Sequence, residues 1–243
     1  MKLKNAQTLL TLSLLTCGAM ADTYNDATGD LASPTFDGFT HLDITSVEVT
    51  NDANFVYISI NTAGDLDAVN WGKFIVGFDT GRNAGDNSVD PGSWNRNVDW
   101  GRGITDFIGS WTDDGGSGAG AELRSFDGSS WGLTDATYLG GGDVTADDSG
   151  HAGGTQMLAV SLSALGLGNG DTFDFDVFST GGGADPGVDH LSRMDPATSD
   201  WGTTSIAGQF MSYTINIVPL PPAAFAGFIG LAGVVGIRYA NRR

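Results

Sequence analysis

The side chains best able to do chemistry are oxygens and flat rings. Asp79, Asn83, Asp86, Asn87 and Asp90 fall within a short Gly-containing stretch. Ca²⁺ takes six to eight oxygens, which short Asp and Asn side chains and loop carbonyls can supply. The stretch is therefore a candidate Ca²⁺ site, and Ca²⁺ is the one cofactor expected. Its spacing is not that of an EF-hand loop, which ends in Glu. Asp143, Asp147 and Asp148 form a second acidic group. The plainer alternative in both places is a solvated loop capped by its own Asp side chains.

Trp94 and Trp100 follow directly, beside Arg96, Asn97, Asp99 and Arg102. Sugars stack on flat apolar rings while polar neighbours fix their orientation, so these rings are the candidate carbohydrate contacts. The competing reading has them fold back and plug the core. Catalytic patterns are lacking. His41, His151 and His190 sit in no metal or nucleophile motif, and no Gly-x-Ser-x-Gly elbow occurs. Abundant acids do not identify the acid–base pair of a glycosidase. No enzymatic activity is expected.

Charge narrows the partners. All 29 acidic residues lie between Asp22 and Val218, with six basic ones: Lys73, Arg82, Arg96, Arg102, Arg124 and Arg193. Such a surplus argues against nucleic acid and anionic membranes as partners. All the acids but Glu48 and Glu122 are Asp, which favours turns and caps over helices.

These side chains must be positioned by strands. Val56, Ile58 and Ile60 share one face of a period-two run; Phe74, Val76 and Phe78 share another. Phe173, Phe175 and Val177 alternate with Asp174 and Asp176, and Met211, Tyr213, Ile215 and Ile217 with polar residues. Leu42 and Ile44 keep one phase and Val47 and Val49 the other, predicting a bulge near Thr45-Ser46. Asn51–Asn54 and Asp127-Gly128 read as hairpin turns. Leu162–Leu167 predicts one helical turn. Segments 80–103 and 140–154 read as long loops, which in compact domains commonly bind something or move. The expectation is an all-β fold, a single β-sandwich over 22–217.

The ends read as address labels. Lys2 and Lys4, the apolar Leu9–Leu15 and Ala19-Met20-Ala21 predict a signal peptide over 1–21. The only cysteine, Cys17, lies inside it, so the mature chain has no disulfide. At the other end Val218-Pro219-Leu220-Pro221-Pro222 precedes an uncharged apolar run to Ile237, then Arg238, Arg242 and Arg243. Spanning a membrane core takes about 20 helical residues, so the run is a marginal transmembrane helix with its arginines held inside. Residues 218–243 resemble the sorting tail of PEP-CTERM proteins, in a Val-Pro-Leu-Pro-Pro variant. The resemblance implies signal peptidase and an exosortase-type enzyme as processing partners, and the cell surface or extracellular matrix of a bacterium as destination. Membrane contact would be through the tail alone.

Asp26-Ala27-Thr28-Gly29-Asp30, then Leu42-Asp43-Ile44 running into Val47-Glu48-Val49, is similar to the opening of DOMON-like modules and carbohydrate-binding module family nine. Phe55–Ile60 is similar to the second strand of those modules, and Ser161–Leu167 with Gly170–Phe173 to their late turn-and-strand. That resemblance implies a jelly-roll-like sandwich and, in some relatives, sugar binding. Extracellular polysaccharide is then the expected ligand. The alternative is a non-catalytic structural matrix protein, stiffened by Ca²⁺ and without a specific ligand.

Overall fold

The computed structural model describes residues 21–69, 71–90, 92–112 and 119–217. The sorting tail and residues 1–20 of the expected signal peptide lie outside them. In chain order the strands are β1 (Asp22–Asn25), β2 (Ile44–Asn51), β3 (Phe55–Thr62), β4 (Lys73–Asp79), β5 (Val98–Asp99), β6 (Asp106–Trp111) and β7 (Gly120–Phe126). They continue as β8 (Trp131–Ala136), β9 (Val144–Asp147), β10 (Thr155–Ser161), β11 (Thr172–Thr180), β12 (Gly187–His190), β13 (Ser205–Ile206) and β14 (Met211–Thr214). One helical turn, α1 (Leu162–Leu165), follows β10; Ser161 Oγ accepts from Ala164 N at its start.

The chain is all-β and sandwich-like. A five-stranded antiparallel sheet runs β1-β2-β3-β10-β9. A seven-stranded sheet runs β12-β11-β4-β6-β7-β8, with β14 also pairing β11. The first half of β11 is bordered by β14 and its end by β12, so the two short strands share one edge. Val47, Val49, Val56, Ile58, Ile60, Leu158 and Val160 from the smaller sheet pack with Phe74, Val76, Phe78, Ile108, Leu123, Phe173, Phe175 and Val177 from the larger one. The period-two runs of the sequence are among them, brought together because each strand buries alternate residues on that side. The predicted bulge is present: the β2–β3 register shifts between Ile44 and Ser46.

The larger sheet is buried on its other face as well, so β4 and β6 are buried almost without interruption. Ile75, Phe107 and Phe178 on that outer face are covered by Val89, Trp94, Val98, Trp100, Ile104 and Phe210. Much of the cover is segment 80–103. It is an ordered third layer, tied by the Asp86–Ile104 bridge and by the parallel β5–β13 pair. Its rings settle against strand glycines. A Cβ on Gly77 or Gly109 would meet the ring of Trp100 or Trp94 closer than 3.0 Å, so glycine there makes room for an indole against the sheet. Segment 140–154, read from the sequence as a loop, contains strand β9 paired with β10. Four residues between glycines carry too short an alternation to register.

Candidate functional site

The β4–β6–β7 register builds the first site on the outer face of the larger sheet. Lys73, Trp111 and Gly120 form one cross-strand row; Ile75, Gly109 and Glu122 the next; Gly77, Phe107 and Arg124 the third. Trp111 lies over Gly120 as Trp94 lies over Gly109. The result is a ladder of three nearly parallel rings. Trp94 and Trp111 are 6.5 Å apart at 24°, and Trp111 and Tyr138 6.5 Å apart at 25°. Such offset arrangements suit the ring quadrupole. The ladder opens into a pocket of about 640 Å³ lined also by Lys73, Ser93, Arg96, Glu122 and Arg124, within the size range of ligand sites.

Glu122 organises that pocket. It accepts from Trp94 Nε1 at 2.9 Å, Arg124 Nε at 2.9 Å and Tyr138 Oη at 2.7 Å. Burial opposes its ionisation, but these hydrogen bonds and the Arg124 charge outweigh burial and hold the carboxyl below its ordinary range. Arg124 also pairs with Asp90. The Arg96 guanidinium lies 5.3 Å over the Trp94 ring, a cation–π contact. Tyr138 is 60% exposed, Trp111 is half-buried and Trp94 is 9% exposed, so the ladder runs from the surface into the core.

Trp94 therefore belongs both to the core and to the pocket wall. Trp100 is a core residue, 1% exposed among Phe178, Phe210 and His190. The proposed Ca²⁺ loop is committed to internal contacts. Asp79 pairs with Arg102, and Asp90 with Arg124. Asp86 accepts from Ser88 and from Trp131 Nε1. Asn83 bridges Gly85 N and Phe126 O, and Asn87 bridges Asp99 and Trp100 N. Asp79, Asn83, Asp86 and Asp90 lock the third layer to the sheet, and Asn87 ties the layer to itself.

The structure gathers a different acidic set. Among the described residues, carboxylate oxygens of Asp30, Asp43 and Asp189 come within 4.8 Å of one another, and Asp26 adds its charge. Asp43 accepts from Gly29 N at 3.0 and 2.9 Å. Asp189 accepts from Ile44 N at 2.6 Å and from His190 N at 2.9 Å. Asp26 Oδ2 and both Asp30 oxygens are buried without a hydrogen-bond partner. Burial, then the neighbouring carboxylates, pushes Asp26 up to about 8. Burial and the same crowd raise Asp189 well above its ordinary value, and burial raises Asp30 and Asp43. Convergent carboxylates with unpaired lone pairs are the donor set of a hard divalent cation.

Beside this cluster, Asp176 Oδ2 is 2.7 Å from His190 Nδ1, and His190 Nε2 is 3.2 Å from Ser205 Oγ. The distances are those of a hydrolase triad, but geometry alone does not suffice. All three residues are fully buried, and Ser205 Oγ accepts from Gly187 N at 2.9 Å. The set works as a structural tie joining β11, β12 and β13.

Sequence reasoning missed Trp111, Tyr138 and Glu122 as a unit. The available signal was glycine inside strands, Gly109 and Gly120, each marking a ring overhead. It also singled out Asp26, Asp30 and Asp43 only as a pattern; Asp189 joins them through the β11–β12 pairing, far away in the chain. No protein-family model matches the chain, and no curated protein is significantly similar to it.

Proposed function

We propose that this is an exported, non-catalytic surface or matrix protein whose jelly-roll-like sandwich binds carbohydrate in the outer-face pocket. The observation that carries the reading is the Trp94–Trp111–Tyr138 ladder, edged by Glu122, Arg96 and Lys73. Graded rings offer the flat apolar platform of a pyranose face, and the charged rim supplies hydroxyl partners. The test is retention of the protein on a panel of immobilised glycans. Retention by at least one glycan is expected, with Trp111→Ala and Tyr138→Ala each weakening it by roughly 1–3 kcal/mol. Folded variants retained as well as the parent on every glycan would sink the reading.

Ca²⁺ enters as a structural cofactor at Asp30, Asp43 and Asp189 with Asp26 beside them, supported by the convergence of those three and the buried unpaired oxygens of Asp26 and Asp30. That cluster and the burial of Trp100 also favour the second reading, a Ca²⁺-stiffened matrix protein without a specific ligand. Absence of retention on all glycans would select it. The sorting proposal rests on the proline motif, apolar run and terminal arginines of the 218–243 sequence, which an exosortase-type enzyme would process. Deleting those residues should release the protein from the envelope, and an undiminished surface pool would defeat that proposal.

A further inference from the structure

This inference rests on the carbohydrate reading of the outer-face pocket and names the kind of glycan. Of the six basic side chains between Asp22 and Ile217, three are spent on ion pairs elsewhere: Arg82 with Asp106, Arg102 with Asp79 and Asp174, and Arg193 with Asp195. The other three, Lys73, Arg96 and Arg124, all line the ladder pocket. Arg124 is neutralised by Asp90 and Glu122. Among the described residues, Lys73 and Arg96 are in no ion pair, although the chain carries 29 acids.

Their polar contacts are incomplete. Lys73 Nζ donates to the Trp71 carbonyl at 3.1 Å. Arg96 Nη1 donates to the carbonyls of Trp94 and Gly183. Arg96 Nε is buried with no acceptor. Burial and mutual repulsion lower Lys73, burial pushes Arg96 down to about 10, and Asp185 is the acid whose charge partly offsets this at both. Two adjacent, partly desolvated cations with no acid in ion-pair contact, and Asp185 offsetting them only in part, cost folding free energy. A ligand anion seated between them relieves that cost at the moment of binding.

Arg96 also lines a second pocket of about 510 Å³ with Asn95, Asn97, Asp185 and Trp201. It therefore stands between two adjoining depressions, each with an indole in its wall. Such a layout fits a chain crossing the face better than one free sugar. We propose that the outer face binds an acidic polysaccharide, with Lys73 and Arg96 receiving a sugar carboxylate or sulfate while Trp111 and Tyr138 stack on neighbouring rings.

The overall charge supplies a control. With six basic residues against 29 acids in this region, the protein as a whole repels a polyanion, so ion exchange cannot mimic the effect. The experiment is affinity electrophoresis of the full-length chain through gels bearing alginate, polygalacturonate or dextran sulfate. Each is run beside its neutral counterpart: the carboxyl-reduced polymer, or plain dextran. At least one acidic polymer should retard the protein about tenfold more than its neutral partner, the scale of one charged hydrogen bond. Response to the carboxylated or to the sulfated polymers identifies the anion. Lys73→Gln and Arg96→Gln should each bring the acidic-to-neutral ratio close to one. Lys73→Gln removes a single carbonyl contact, so it remains informative if Arg96→Gln does not fold. Equal retardation by acidic and neutral partners overturns the inference and leaves the carbohydrate reading standing. So does an acidic preference that both variants keep. Loss of retardation in every gel overturns both.

Discussion

The outer-face pocket and the Asp26–Asp30–Asp43–Asp189 cluster treat charge in opposite ways. At the pocket, Glu122 is one carboxylate with three donors aimed at it, and the two indoles beside it are seated on Gly109 and Gly120. At the cluster, four carboxylates crowd together, and three of their oxygens are buried without a partner. An unsatisfied buried acceptor costs about 1–3 kcal/mol, and more when charged. The Glu122 carboxylate is thus fully partnered in one region, while carboxylate oxygens go unpartnered in the other. Stability should depend on solution conditions at the acidic edge and on side-chain volume at the outer face.

Removing the deepest indole should have the largest effect. Trp100→Ala should cost roughly 3–5 kcal/mol of folding stability, the range for large-to-small core changes. It empties the space between Gly77, Phe178 and Phe210. Glycan retention by the fraction still folded should hardly change. Trp111→Ala should show the reverse balance. Chemical denaturation and retention, measured on both variants, separate the roles. A Trp100→Ala protein of parental stability would break the claim that the third layer is core.

Cation dependence comes next in size and belongs to the other region. The protein should melt higher in millimolar Ca²⁺ than in chelator, by the equivalent of about 2.7 kcal/mol when Ca²⁺ exceeds Kd a hundredfold. Mg²⁺ should do less, because it prefers tight octahedral shells and keeps its waters. In chelator, Asp30→Asn should melt above the parent, since it removes repulsion; it should also lose the Ca²⁺ increment. The pH dependence has a definite sign. Asp26 is raised to about 8 from an ordinary 3.8, so between those values the folded state keeps a proton that the unfolded state has released. Stability in chelator should then fall as pH rises through that window, and Ca²⁺ should flatten the decline. Equal melting in Ca²⁺, Mg²⁺ and chelator would remove the cation from the account.

The same contrast explains what was legible in the sequence. Strand cores were, because Val56-x-Ile58-x-Ile60 and Phe74-x-Val76-x-Phe78 repeat with the period of the pleat. The bulge near Ser46 was, because the phase of the apolar residues changes there. The outer face was hidden because β4 and β6 are buried on both sides, and a continuous apolar run does not say what lies above it. Segment 80–103 looks like a solvated loop by composition. Its Asp and Asn side chains are consumed by Arg102, Arg124, Trp131 and backbone amides, partners distant in sequence. The acidic cluster joins residues from before β2 to one on β12, a convergence that only the pairing of β11 with β12 produces.

The smallest effect probes how Glu122 is held. Glu122→Gln should preserve the pocket's shape, because the new amide can fit the same three neighbours. Its oxygen can face Trp94 Nε1 and Arg124 Nε. Its NH₂ can donate to Tyr138 Oη, which accepts by turning its own hydrogen away. What disappears is the charge that strengthens each bond, so a stability loss of about 1 kcal/mol is expected near neutral pH. The loss should carry a pH signature. The folded carboxyl lies below its ordinary value of 4.5, so its contribution is fully present above that value and fades as pH falls through the folded value. The melting difference between parent and Glu122→Gln should therefore be constant from pH 6 to 8 and shrink towards pH 3. Comparing the two proteins cancels the titration of distant acids, including those of the Asp26–Asp30–Asp43–Asp189 cluster. A difference that persists unchanged at pH 3 would mean that shape, not charge, is what Glu122 contributes. The satisfied carboxylate would then no longer distinguish this pocket from the acidic edge.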